Sequence, residues 1–187
     1  MNIFVTHPHP GMCAQVLDDR RLVKMVLETA QLISTTWHEV TGRHLGYLPT
    51  HVNHPCSVWA RSSFENLTWL VHHGEALLTE YTRRYERMHA SSAVIQCSAD
   101  RLPELFKMKR LPVERTPFVN CARSTARGLD FTHVEDVHEA YRQYMRAKWK
   151  EDGLNARWTR RSPPAWWRSK VAERVVSPSE DRIDLDA

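Results

Sequence analysis

No apolar run in the sequence approaches the roughly 20 residues that a membrane-spanning helix requires. The opening stretch MNIFVTHPHP also lacks the basic segment followed by an apolar one that marks a secretory leader. A soluble, non-secreted protein is the expectation. Cysteine is sparse: Cys13, Cys56, Cys97 and Cys121 lie far apart and form no CxxC pair, so neither a redox motif nor a zinc ribbon is indicated. Reduced thiols are expected. There is no Gly-rich phosphate loop, no sustained strand alternation and no internal repeat.

What is present is a chain of 187 residues, which at about 100–200 residues per domain reads as one domain with or without a tail. Folding such a chain buries roughly 70% of its unfolded surface. A hydrophobic content of 42% and seven Trp argue against a disordered chain. Twenty-six Lys and Arg against 22 Asp and Glu give a formal charge of +4 and a pI near 9.0. The charge is unevenly placed. Between Ser177 and Ala187 stand Glu180, Asp181, Asp184 and Asp186 against Arg182 alone, so the tail carries −3 and the rest +7. A basic body with an acidic tail fits an anionic partner such as nucleic acid; it fits simple solubility as well.

Helical periodicity dominates the pattern. From Asp18 to about Trp37, Val23, Val26, Leu27, Ala30, Ile33 and Trp37 recur at steps of three and four, with Asp18 and Asp19 near the positive N-terminal end. The stretch before it, cut by His7-Pro8-His9-Pro10-Gly11, holds only an extended piece. A second helical region runs from about Pro55 to Met88 on the stripe Phe64, Leu67, Val71, Leu78, Tyr81 and Tyr85. Ser91 to Arg115 reads as short helical pieces broken by Pro103 and Pro112. A third long helix, marked by Val134, Val137, Tyr141, Tyr144 and Trp149, stops near Gly153. The fold class is mainly α: a single compact domain of three long helices plus short helices and loops over residues 1–170. Residues 171–187 are expected to be an acidic, disordered tail.

The first long helix carries an unusual polar face. Arg21, Lys24, Glu28, Gln31 and Thr35 stack along one side, and Arg20 adjoins Lys24. This is either a solvated face with a Lys24–Glu28 pair worth a few tenths of a kcal/mol, or a cationic row that grips phosphates while Glu28 handles a sugar or a proton.

The segment Leu17-Asp-Asp-Arg-Arg-Leu-Val-Lys-Met-Val-Leu-Glu28 is followed by Asn53-His54-Pro55-Cys56, then by Trp59, Asn66 and Trp69. Together these resemble the pyrimidine-dimer DNA glycosylase family of the phage endonuclease V type and its small phage and bacterial relatives. The likeness covers roughly residues 1–90, with Pro163-Pro164-Ala165-Trp166-Trp167 as a further piece; residues 90–150 have no counterpart. It implies an all-α fold, a cytoplasmic setting in a bacterium or phage-infected host, and DNA as partner; the oligomeric state is left open, with a monomer as the expectation. It further implies a first helix presenting a catalytic Glu, in register Glu28, and an N-terminal α-amine that attacks C1′ of a damaged nucleotide. Such an amine, with a pKa near 8, is a nucleophile at neutral pH. Attack expels the base and leaves an imine, from which β-elimination cuts the strand. Arg20, Arg21 and Lys24 would grip flanking phosphates. The chain departs from the best-known member at its second position: Asn2 is bulky enough to retain Met1. The nucleophile is then the amine of Met1, or of Asn2 if Met1 is removed, or Glu28 activates water.

His54, Cys56, His51, His7 and His9 offer zinc-type ligands, but at no zinc spacing. The alternatives are a helix-start motif and a substrate pocket containing Gln31, His54 and Trp59. No metal and no cofactor is called for. Trp59 and Trp69 read as core or as stacking platforms, and the cysteines as buried small hydrophobes. Between Lys148 and Lys170, Arg157, Arg160, Arg161 and Arg168 interleave with Trp149, Trp158, Trp166 and Trp167. Cations for phosphate and aromatics for bases suit an opened strand, so Arg157, Arg160, Arg161, Trp166 and Trp167 are candidate DNA contacts; Trp packing with Arg snorkelling around it is the other reading. The leading function is a DNA glycosylase, with or without AP-lyase activity, acting on a damaged or modified pyrimidine. The alternatives are a non-catalytic DNA-binding phage protein on the same scaffold and a nucleoside or nucleotide base-modification enzyme.

Overall fold

A computed structural model describes residues 1–168; the acidic tail lies outside the described residues. The elements run α1 (Pro10–Val16), α2 (Asp19–Thr41), α3 (Pro55–Ala60), α4 (Phe64–Tyr85), α5 (Ser92–Lys107), β1 (Arg123–Ser124), β2 (Leu129–Asp130), α6 (Val137–Glu151) and α7 (Ala165–Arg168). The mainly α expectation matches this architecture. No helix among the described residues is long and apolar enough to cross a membrane.

Helix α2 is the central rod. Leu22, Met25, Val26, Ala30, Leu32 and Ile33 are buried along it, and Gly42, at φ 73°, ends it in the left-handed conformation that a residue without Cβ adopts at little cost. Helix α4 packs on α1 and α2, and α5 closes over both α4 and α2.

Three elements differ from the sequence expectation. Pro10 does not end the opening segment but starts α1, with His9 capping it through Nδ1. The region from Pro55 onward is two helices, because Ser63 turns extended and caps α4 through Oγ to the Asn66 N–H, 3.1 Å away. Ser92 to Lys107 is one continuous helix with Pro103 inside it, a fourth long helix where short pieces were expected. An interior proline removes one backbone hydrogen bond and costs about 3 kcal/mol. Ile95 and Ser98 before it and Leu105 after it are buried, so packing on both sides holds the helix together.

The C-terminal half wraps the N-terminus. Phe4 is buried and stacks on Tyr144 of α6 at 6.1 Å, edge-on to Tyr141 at 6.4 Å. Ahead of α6, the small antiparallel ribbon pairs Arg123 with Asp130 and Ser124 with Leu129. Trp149, fully buried, is the centre of an aromatic knot with Trp158, Trp166 and Trp167.

Candidate functional site

The residues that converge come first from the N-terminus. Asn2 folds its side chain back so that Oδ1 accepts from the N–H groups of Ile3 (2.8 Å) and Phe4 (3.1 Å). That local turn holds Phe4 at φ 51°, a conformation a bulky residue seldom adopts. It also aims the backbone at α2. The Asn2 main-chain N–H donates to Glu28 Oε2 at 3.2 Å, and the Met1 α-amine lies 3.9 Å from the same oxygen. Lys24, one turn earlier on α2, places Nζ 3.2 Å from Glu28 Oε1. The carboxylate is only 14% exposed, whereas the Lys24 side chain is 71% exposed. One shielded anion therefore receives an amine, an amide N–H and an ammonium.

These groups face a cleft of about 270 Å³. Met1, Asn2, Arg20, Arg21, Lys24 and Glu28, all singled out in the sequence, line it together. Arg21 is more strut than reagent. It is buried, and it bonds Asp18 Oδ1 at 2.9 Å and Asp152 Oδ2 at 2.6 Å, so it ties α2 to the end of α6. Trp149 Nε1 donates to that same Asp18 oxygen at 2.8 Å.

The rest of the lining does not read as part of the site from the sequence. Phe4, Met25, Arg123, Arg127, Tyr144 and Lys148 complete it, of which the sequence points only to Lys148, as the start of the basic stretch. Arg127 bonds Glu151 and Asp152, each at 3.1 Å. Burial, followed by the charges of Arg21 and Arg127, pushes the Lys148 amine below its ordinary pKa. A basic residue one turn after Tyr144 on α6 was the available signal, but Arg123 and Arg127 sit in a segment without periodicity.

Other candidates lie elsewhere. Gln31 and His54 do not line this cleft. His54 instead caps α3, its Nδ1 accepting from the Cys56 N–H at 3.2 Å, and its pKa is lowered by burial and then by the nearby terminal amine. Trp59 is 4% exposed, stacked on Phe118 and edge-on to Trp69, in the core. The thiols of Cys13 and Cys56 are buried, those of Cys97 and Cys121 partly so.

The basic, Trp-rich stretch is stitched to the body. Arg161 grips Glu80 with both Nε and Nη2, and Glu80 also holds Arg84, which bonds Asp19 at 3.0 Å and the Gln15 carbonyl at 3.3 Å. Arg160 pairs with Glu86, and the Arg157 carbonyl accepts from the Asp19 N–H at 2.8 Å. Trp166 and Trp167 pack on Trp149 at 5.3 and 5.1 Å. None of these five expected DNA contacts lines the Glu28 cleft. The acidic partners of Arg160 and Arg161 are remote in sequence, so composition alone left these two looking unpaired. No three His, Cys, Asp or Glu side chains cluster as a metal site among the described residues.

A terminal amine against a shielded carboxylate, inside a cationic cleft, puts a potential nucleophile, a proton acceptor and anion-binding groups in one space. Residues 1–92 match the family model described as pyrimidine dimer DNA glycosylase. Comparison with curated proteins and with solved structures gives no significant match.

Proposed function

We propose that this protein is a DNA glycosylase that attacks C1′ of a damaged or modified pyrimidine nucleotide, with the α-amine of Met1 as nucleophile and Glu28 as the proton-handling carboxylate. The observation that carries the reading is the 3.9 Å approach of that amine to a carboxylate that is only 14% exposed. The match of residues 1–92 to the glycosylase family model supports DNA as the substrate.

The amine must be uncharged to attack, and Glu28 is placed to take its proton. The nitrogen lone pair forms the bond to C1′. The glycosidic bond breaks with its electrons on the departing base, which takes up a proton. Positive charge accumulating on the sugar during this step is stabilised by the Glu28 carboxylate. The sugar ring then opens, the C1′–O4′ bond breaking with its electrons on O4′, which takes up a proton, and this leaves an iminium at C1′ that acidifies C2′. Loss of a C2′ proton then expels the 3′-phosphate oxygen and cuts the strand, and water finally hydrolyses the imine to free the amine. Removal of Met1 would leave the reading intact, because the Asn2 nitrogen is 3.2 Å from Glu28.

The test is incubation with ultraviolet-irradiated and modified-base DNA in borohydride, alongside an intact-mass measurement that identifies the first residue. A covalent protein–DNA adduct at the N-terminal residue is expected for wild type and not for Glu28→Gln. Base release without an adduct would shift the nucleophile to water activated by Glu28. No base release from any such substrate would overturn the reading.

A further inference from the structure

Two thiols meet beneath the N-terminal segment, although no spacing or motif pairs them in the sequence. Cys56 sits in the first turn of α3, where its N–H donates to the capping His54 at 3.2 Å, and it is fully buried. Cys121 stands 65 positions later and is only partly buried. The two sulfurs lie within hydrogen-bonding reach, with the Cys56 S–H as donor.

Both cysteines are fixed by their backbones, so the encounter is built into the fold. The Cys121 N–H donates to the Tyr141 hydroxyl oxygen at 3.2 Å, and its carbonyl accepts from Asn2 Nδ2 at 3.0 Å and from the Arg123 N–H at 2.8 Å. The Cys56 sulfur also faces the Ile3 backbone. The segment that carries the terminal amine thus rests on both residues.

Their surroundings split their chemistry. The hydrogen bond from Cys56 is the main effect lowering the Cys121 pKa; burial opposes it, and the charges of Arg123 and the Met1 amine reinforce it. The same bond, followed by burial, raises Cys56. Burial alone pushes Cys13, which has no thiol neighbour of this kind, up to about 11. A partly exposed sulfur with thiolate character beside a protonated second thiol suits a pair in which one cysteine meets an oxidant and the other resolves it. The amine–carboxylate chemistry uses neither.

We propose that Cys121 and Cys56 are a peroxide-responsive pair that closes to a disulfide and thereby slows the Met1 amine by shifting the support of Asn2. The disulfide stands on the thiol geometry; only the slowing rests on the proposed glycosylase reading. The Cys121 sulfur attacks one oxygen of hydrogen peroxide, the O–O bond breaks, and the departing hydroxide takes up a proton to become water. Sulfur, oxidised by two electrons, is now a sulfenic acid, and the peroxide is reduced. The Cys56 sulfur then bonds to the Cys121 sulfur, the S–O bond breaks, and hydroxide leaves with the Cys56 proton as a second water. A disulfide is shorter than a hydrogen bond between thiols, so closure draws the Cys121 segment, and the carbonyl that holds Asn2, toward α3. A dithiol reductant reverses the bond by exchange.

The experiment treats the full chain with hydrogen peroxide, blocks the remaining thiols with N-ethylmaleimide in denaturant, and maps unreduced peptides by mass spectrometry. The proteins are wild type, Cys56→Ala, Cys121→Ala and, as a control, Cys97→Ala. Wild type and Cys97→Ala should each give a linked Cys56–Cys121 peptide, lighter by two hydrogens than its two parts, which dithiothreitol abolishes. Cys56→Ala should stop at a Cys121 sulfenic acid captured by dimedone, and Cys121→Ala should leave Cys56 reduced. No linked peptide in folded wild type overturns the pair, and that measurement needs no variant to fold. Oxidation of Cys56 in Cys121→Ala overturns the order of attack. On a duplex with an abasic site, borohydride trapping of wild type should slow by on the order of 10²-fold after peroxide and recover with dithiothreitol. An unchanged rate in fully linked protein overturns the slowing. A protein that links its thiols but releases no base when reduced retains the disulfide and rejects the glycosylase reading.

Discussion

The carboxamide of Asn2 donates to the carbonyl of Cys121, 119 positions away, at 3.0 Å. This bond joins the segment that bears the terminal amine to the segment that bears Arg123. The site therefore depends on a contact between the half of the chain that matches the family and the half that does not.

Asn2→Ala removes this bond together with the turn that holds Ile3 and Phe4. Net hydrogen bonds contribute about 1 kcal/mol each, so a stability loss of about 1–3 kcal/mol is expected. Misplacing a reacting group is costlier, and borohydride trapping should slow by on the order of 10²-fold. Rapid trapping in a protein of lowered melting temperature would show that the amine needs no such support.

Glu28→Gln keeps the shape of the side chain and removes its charge. Base release should fall by roughly 10²–10⁴-fold, the usual contribution of a positioned acid–base group. Binding to abasic DNA should stay the same or tighten, since one anion has left a cationic cleft. Single-turnover cleavage and anisotropy on the same preparation check both halves.

Glu80, Arg84 and Arg161 should govern stability rather than DNA affinity. Arg84 is fully buried and Glu80 nearly so, and breaking such a pair by removing one partner costs about 3–5 kcal/mol. Burial raises the Glu80 pKa, but the bonds from Arg161 and Arg84 outweigh it and hold the group below its ordinary 4.5. Because the folded value is the lower one, the unfolded chain binds more protons in the interval between the two. The stabilisation is present above pH 4.5 and fades as pH falls through the folded value. Melting curves of wild type and Glu80→Gln should therefore differ most near pH 7 and converge in acid. Arg161→Ala should destabilise with little change in the salt slope of DNA binding.

His73 gives a second acid limb. Burial lowers its pKa from 6.5 to about 4, opposed only by the hydrogen bond to the Pro10 carbonyl. Its neutral state in the fold stabilises fully above pH 6.5, and that contribution drains away as pH falls from 6.5 towards 4. Replacing it with Leu should flatten the dependence of melting temperature on pH across this window. An unaltered profile would mean that another group carries the limb.

Helix α2 and the place of Glu28 on its polar face were legible because a 3.6-residue period survives without knowledge of neighbours, and the quoted motifs lie within the matched residues 1–92. Arg123 was not legible, since its place depends on Asn2, Tyr141 and Tyr144, none adjacent to it in sequence. The Arg160–Arg161 stretch shows the converse. Its cations read as free because Glu86 and Glu80 stand 74 and 81 positions away. Pro103 shows the limit of local rules: buried neighbours on both sides keep α5 whole across a helix breaker.

Asp152 meets three guanidinium groups: Arg20 at 3.9 Å, Arg21 at 2.6 Å and Arg127 at 3.1 Å. Every cation left loose in a DNA cleft adds affinity for any phosphate, damaged site or not. On the proposed glycosylase reading, a single acid leashing three arginines would act as a brake on loitering, leaving the cleft positive enough to attract a strand and restrained enough to let an ordinary one go.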